Sequence, residues 1–158
     1  MTNPQTLPKN GTNFADQPHA YDPVAQPRFF EGVIGKRAVA FVLDAIIVLL
    51  LVFLFGLVTF GLGWVLLPAL LIVFLVYNAI TIGGKNAATL GQRFMGLEVR
   101  MWFGGKVSPL VAAFHALLFW FAAGTFVLWF VDVLWAVFDQ RKRCLHDILA
   151  GVVVINRA

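Results

Sequence analysis

The side chains that stand in or beside long apolar stretches are the candidates for chemistry: Arg37, Asp44, His115, Asp132, His146 and Asp147. Asp44 falls inside "GKRAVAFVLDAIIVLLLVFLFG", roughly 8–10 Å past the start of the apolar run by helical rise. A carboxylate at the centre of a membrane helix costs about 2.5–3.5 kcal/mol, and less near an end, so it needs a partner or a purpose. Arg37 precedes it by two helical turns on the same face, about 10 Å away along the axis. Direct pairing would stretch both side chains; a shared partner such as His115, Asn78 or the adjacent His146 and Asp147 is easier geometry. Asp44 then reads either as a staple between helices, with Arg37 an end anchor, or as an ion- or proton-handling carboxylate, because intramembrane carboxylates mark ion pathways. Asp132, between Val131 and Val133, carries the same two readings. His115 in "AAFHALLFW" reads as a hydrogen-bonded packing residue or a relay. His146 and Asp147 adjoin on a short segment, so their side chains are expected to diverge.

No phosphate loop, nucleophile elbow, HExxH or paired-carboxylate signature is present, so the chain is expected not to be an enzyme and to need no cofactor. Cys144 stands alone, which excludes an internal disulfide and offers neither a CxxC motif nor a metal-ligand set; no metal is expected. A maleimide that cannot cross membranes is expected to reach this thiol only from the cytoplasmic side.

The elements that must position these residues follow from composition. The chain is 60% hydrophobic and 13% charged with mean hydropathy +0.84, against roughly 45–50% apolar residues in ordinary soluble domains. It reads as an integral membrane protein whose first partner is the lipid bilayer. The net charge of +4 and pI near 9.6 do not point to nucleic acid, because the basic residues lie singly or in short groups beside apolar segments. Residues 1–33 are proline-rich and polar and are expected to form a disordered cytoplasmic tail, with Phe29 and Phe30 in either an interfacial anchor or a plain linker. The membrane domain spans 34–156, with helices expected at about 36–55 and 62–82, Pro68 kinking the second. Lys36 and Arg37 precede this hairpin, and Lys85, Arg93, Arg100 and Lys106 follow it, which places the N-terminus and segment 83–107 in the cytoplasm. Within that segment Thr89 and Gln92 form a capping-box pattern, 97–101 alternates as a strand, and Ser108 with Pro109 starts a helix. The apolar run that follows, closed by Arg141, Lys142 and Arg143, divides into helices at about 109–123 and 125–139, a thin hairpin or half-inserted pair; one long tilted helix is the alternative. The C-terminal segment 140–158 ends in a β-branched run, Val152 to Ile155, expected to pair with 97–101. No repeat of 20–50 residues is visible. The expected fold class is all-α integral membrane: a transmembrane helical hairpin, a short hairpin or kinked helix, and a small cytoplasmic helix and strand element.

Three separated pieces, "GKRAVAFVLDAII", "ATLGQRFMGLEVR" and "RKRCLHDILAGVVVI", together resemble the RDD family of small bacterial membrane proteins. The family is named for one arginine and two aspartates; Arg37 and Asp44 match two of these by position, and the second aspartate falls on Asp147. His115 stands where the family often carries an arginine, and Val152 where it usually has threonine. The resemblance implies a multi-pass protein of the inner membrane with both termini cytoplasmic, and a role in moving an ion or small solute, including cation/proton antiport in some members. One hairpin and one thin element do not enclose a pathway, so a homo-oligomer or a larger membrane complex is implied. The other reading is a scaffold that does not transport and docks a cytoplasmic or membrane partner.

Overall fold

The computed structural model describes residues 20–157. An unbroken apolar run forms α1, Val33–Val58, whose 26 residues rise about 39 Å, more than the ~30 Å of a hydrocarbon core. A 3-10 helix, Leu62–Ala69, returns the chain and gives way to α2, Leu70–Ile82, two residues after Pro68 in the sequence. The expected single second helix is therefore two pieces of different pitch. At the hairpin tip Gly56 admits the Trp64 indole, whose Nε1 would lie 1.7 Å from any Cβ there, and Phe53 stacks on the same ring at 6.2 Å.

The next segment forms α3, Leu90–Phe94, and β1, Leu97–Met101; then come α4, Pro109–Ala123, α5, Phe126–Phe138, α6, Leu145–Ala150, and β2, Val152–Asn156. The chain breaks at Gly124 and Thr125, so 108–138 is two helices rather than one long one. Their 15 and 13 residues rise about 22 and 20 Å, short of a full crossing. Both local signals for helix starts hold. Thr89 and Gln92 close a reciprocal capping box, and Ser108 Oγ accepts from the Val111 amide.

β1 and β2 pair antiparallel, with Val99 opposite Val154. β2 is buried on both faces, which is why its sequence shows no alternation. Val152 and Val154 pack with Val33, Ile82, Leu97, Val99, Val107, Ala112 and Ala150. This cluster gathers the start of α1, the end of α2 and the start of α4 onto one body. The opposite face of β2 presents Val153 and Ile155 to Phe29, Phe30 and Tyr21. The disorder expected through residue 33 is thus corrected for residues 20–33: the phenylalanines are neither a membrane anchor nor a linker but core, because β2 needs a second apolar cover. Asn156 fastens the same segment by donating to the carbonyls of Arg28 and Glu31 and accepting from Lys36 Nζ at 2.6 Å. The remainder of the expected tail, residues 1–19, lies outside the described residues.

The two halves end alike, which sequence inspection for repeats missed. Thr89, Gln92, Gly96 and Val99 correspond at one constant offset to Cys144, Asp147, Gly151 and Val154. Each set is a capped short helix, a left-handed glycine (φ 68° and 66°) and a strand. The strands cross at the equivalent residues Val99 and Val154, so the ladder has an approximate two-fold axis there.

Away from this body the helices present apolar side chains outward, for example Leu51 at 60% and Phe121 at 74% exposure, a surface that soluble monomers do not leave to water. Truncating Ile155 to Ala is expected to cost about 2–5 kcal/mol, read as lost stability in a denaturation series in detergent. The same truncation at the outward Leu50 should stay within about 0.5 kcal/mol.

Candidate functional site

Two polar clusters sit where the apolar helices meet the sheet body. In the first, Asp44 receives donors from two other elements. Its Oδ1 accepts from Tyr77 Oη (2.6 Å) and the Gly91 amide (2.7 Å), and its Oδ2 from Thr89 Oγ1 (2.6 Å). Tyr77 Oη in turn accepts from the Leu90 amide at 3.0 Å. A helix start leaves unpaired amides that need acceptors, and Asp44 with Tyr77 supplies them to α3 across the α1–α2 hairpin. Gly91 is required at that contact, since a Cβ would meet the Ala40 carbonyl oxygen at 2.2 Å.

The second cluster is centred on Asp147, which is fully buried. Arg37 donates to it through both terminal nitrogens, Nη1 to Oδ2 and Nη2 to Oδ1, the latter at 3.1 Å. The Cys144 amide donates to Oδ2 at 2.8 Å, closing the cap of α6. His115 Nε2 lies 2.7 Å and His146 Nε2 3.3 Å from Oδ1. Burial works against the charge, yet Arg37 and the two histidines hold the Asp147 carboxyl well below the usual carboxylate range. Beyond it, Asp132 Oδ1 accepts from the His146 amide (2.8 Å) and Oδ2 lies 2.6 Å from His146 Nδ1. Cys144 is buried beside these groups, and burial pushes its thiol up to about 12.

A cleft of about 480 Å³ separates the helices, lined at its polar end by Arg37, Asp44, Asn78, His115, Cys144 and His146 and elsewhere by aromatic rings such as Phe74 and Trp120.

Several expectations change. Arg37 and Asp44 share a helix but no partner: Arg37 turns to α6 and Asp44 to α2 and α3. Asn78 joins neither and donates to the Phe74 carbonyl. His146 and Asp147 do not diverge, because the imidazole swings back along the first turn of α6 until Nε2 reaches the carboxylate at 3.3 Å. Cys144 lies near two other donor residues: with Asp132 and His146 its ligand atom falls within 4.8 Å of theirs, a set assembled from α5 and the start of α6 that reading around one cysteine could not find. Arg143 pairs with Asp139 at 3.0 Å. Tyr77 and Gly91 were unsuspected partners of Asp44; only the Thr89 capping box hinted that a helix began there.

The sequence profile of the RDD family matches residues 32–151. The chain belongs to the RDD family. No curated protein and no solved structure is significantly similar to it. The family is membrane-associated, and in this RDD protein α1 is long and apolar enough to cross a bilayer. By position its arginine and second aspartate, Arg37 and Asp147, form one ion pair, while Asp44 serves the other cluster.

Replacing Asp44 by Ala would leave three donors without an acceptor, at about 1–3 kcal/mol for each buried one. Both this variant and Gly91→Ala are expected to unfold at lower temperature in detergent than wild type. At 5% exposure the Cys144 thiol should resist maleimide in intact cells and inverted vesicles alike. Labelling is expected only after denaturation, followed by mass spectrometry, so this cysteine reports folding rather than sidedness.

Proposed function

We propose that the protein moves an ion or small solute across the plasma membrane, with proton-coupled cation movement the form to test first. The observation that carries this reading is the cleft, whose apolar walls lead to a polar end holding Arg37, Asp44, His115 and His146. Intramembrane charges of this kind mark substrate and ion routes. Asp44 is engaged by three donors and acts in this reading as the staple of the cleft wall. His115 and His146, which line the cleft, are the groups that meet the solute or its counter-ion. Placement of Lys36, Arg37, Lys85, Arg93, Arg141 and Lys142 at the sheet end supports an orientation with that end and both termini in the cytoplasm. A closed route across the whole bilayer then calls for a homo-oligomer or a larger membrane complex.

The scaffold reading has less support. Removing the chain after Asp139 would strip β2 from the core cluster, so lost partners in that truncation would report unfolding and not docking.

Purified protein in proteoliposomes is expected to dissipate an imposed pH gradient on addition of Na⁺ or K⁺ faster than empty vesicles. Asn78→Leu, which removes one polar side chain from the cleft and leaves both clusters intact, should lower that rate by about tenfold or more, the effect of ~1.4 kcal/mol on a barrier. Wild-type rates equal to those of empty vesicles would sink the proposal.

A further inference from the structure

We infer that Asp132, Cys144 and His146 bind a thiophilic divalent transition metal of the zinc class, with one coordination position left toward the cleft. The three side chains come from α5 and from the cap and first turn of α6, and all are buried, at 2%, 5% and 5% exposure. Their donor atoms already lie within 4.8 Å of one another. Tetrahedral zinc, with bonds of about 2.0–2.3 Å, needs the sulfur edges of that triangle to close and the His146 Nδ1···Asp132 Oδ2 edge to open from 2.6 Å.

The orientation of the donors favours a metal over chance proximity. Asp132 is aimed by the His146 amide, which holds Oδ1 at 2.8 Å and leaves Oδ2 beside His146 Nδ1 at 2.6 Å. The other ring nitrogen, Nε2, faces Asp147 Oδ1 at 3.3 Å. Metal-bound histidines are regularly fixed through the opposite nitrogen by a carboxylate. Here that carboxylate is clamped by Arg37 and His115, so the arginine–aspartate pair becomes the outer support of the site. The Cys144 sulfur accepts the Asp147 amide in the α6 cap, a hydrogen bond that also suits a thiolate.

Charge and chemistry select the metal. Among the described residues no lysine or arginine reaches Asp132 within ion-pair distance. A carboxylate, a thiolate and a neutral imidazole together balance a dication. Sulfur and nitrogen donors suit zinc, cobalt or iron(II), whereas magnesium and calcium prefer all-oxygen shells. Coordination exchanges a proton for metal: the Cys144 thiol releases its proton to water, while His146 binds through Nδ1 as a neutral ring whose proton sits on Nε2, facing Asp147 Oδ1. Cys144 and His146 line the cleft, which gives the ion an entry path and leaves the fourth position open. This inference is independent of the transport reading, since binding and flux are measured separately.

The test adds Co²⁺ to chelator-treated full-length protein in detergent. The expected result is a near-ultraviolet thiolate-to-cobalt charge-transfer band saturating at one ion per chain, lost on addition of Zn²⁺. Cys144→Ser keeps a good N-cap residue and should abolish the band while leaving the unfolding temperature of the metal-free protein unchanged. Asp147→Asn should keep the band and weaken binding by about 10–100-fold. Absence of the band in wild type, or an unaltered band and affinity in Cys144→Ser, would overturn the assignment.

Discussion

A carboxylate with no water contact must be neutralised where it stands, and Asp147 imposes that constraint on the whole molecule. Its partners come from α1, α4 and its own helix: Arg37, His115, His146 and the Cys144 amide. A buried charge deprived of its partner costs about 3–5 kcal/mol, so α1 cannot rotate and α4 cannot slide without stranding it. Arg37 suits the task because its planar fork meets both carboxylate oxygens, which a lysine ammonium does not. The positions of α1 and α4 against the sheet body follow from this one ion and from the apolar cluster around Val33, Val99 and Ala112.

The same logic explains why aspartates sit inside apolar helices at all. α3 and α6 are too short for their own hydrogen bonds to satisfy more than a fraction of their backbone groups. In α3 the second amide, that of Gly91, is accepted by Asp44 of α1; in α6 the equivalent amide, that of His146, is accepted by Asp132 of α5. These two carboxylates are therefore distant caps for two matched helices, and the left-handed glycines Gly96 and Gly151 then turn each half into its strand. One half carries glycine at the capped position and the other histidine. That single difference gives the second half an imidazole between two carboxylates and makes it the chemically richer one.

Local signals were legible in the sequence wherever one segment decides its own structure. The Thr89–Gln92 box, the Ser108 cap, the break at Gly124 and the strand at 97–101 all rest on neighbours a few residues apart. What could not be read is pairing across the chain. Helical spacing put Arg37 and Asp44 on one side of α1, yet partners from α6 and α3 approach that side at different heights. Phe29 and Phe30 read as an interfacial anchor or a plain linker because nothing nearby in sequence reveals that Val153 and Ile155 lack a cover. The role of Cys144 was hidden for a related reason: cysteine is a poor N-cap by propensity, and its donor neighbour Asp132 belongs to the preceding helix.

The lengths of the helices carry the argument one step further. α1 is long enough to cross a bilayer, but α4 and α5 end at Gly124 and Thr125 after rises of about 20 Å. A turn placed in hydrocarbon has to satisfy its own backbone, because lipid offers no partners. It does so, with the Gly124 amide donating to the Trp120 carbonyl at 3.0 Å and the Thr125 amide to Ala122 at 3.1 Å. The short hairpin thus satisfies the backbone of its own turn, and the outer part of α1 packs on the 3-10 helix of its own hairpin, with Phe53 stacked on Trp64. In the transport reading proposed above, a polar route continuing past that turn has to be walled by further helices, from other copies or other subunits.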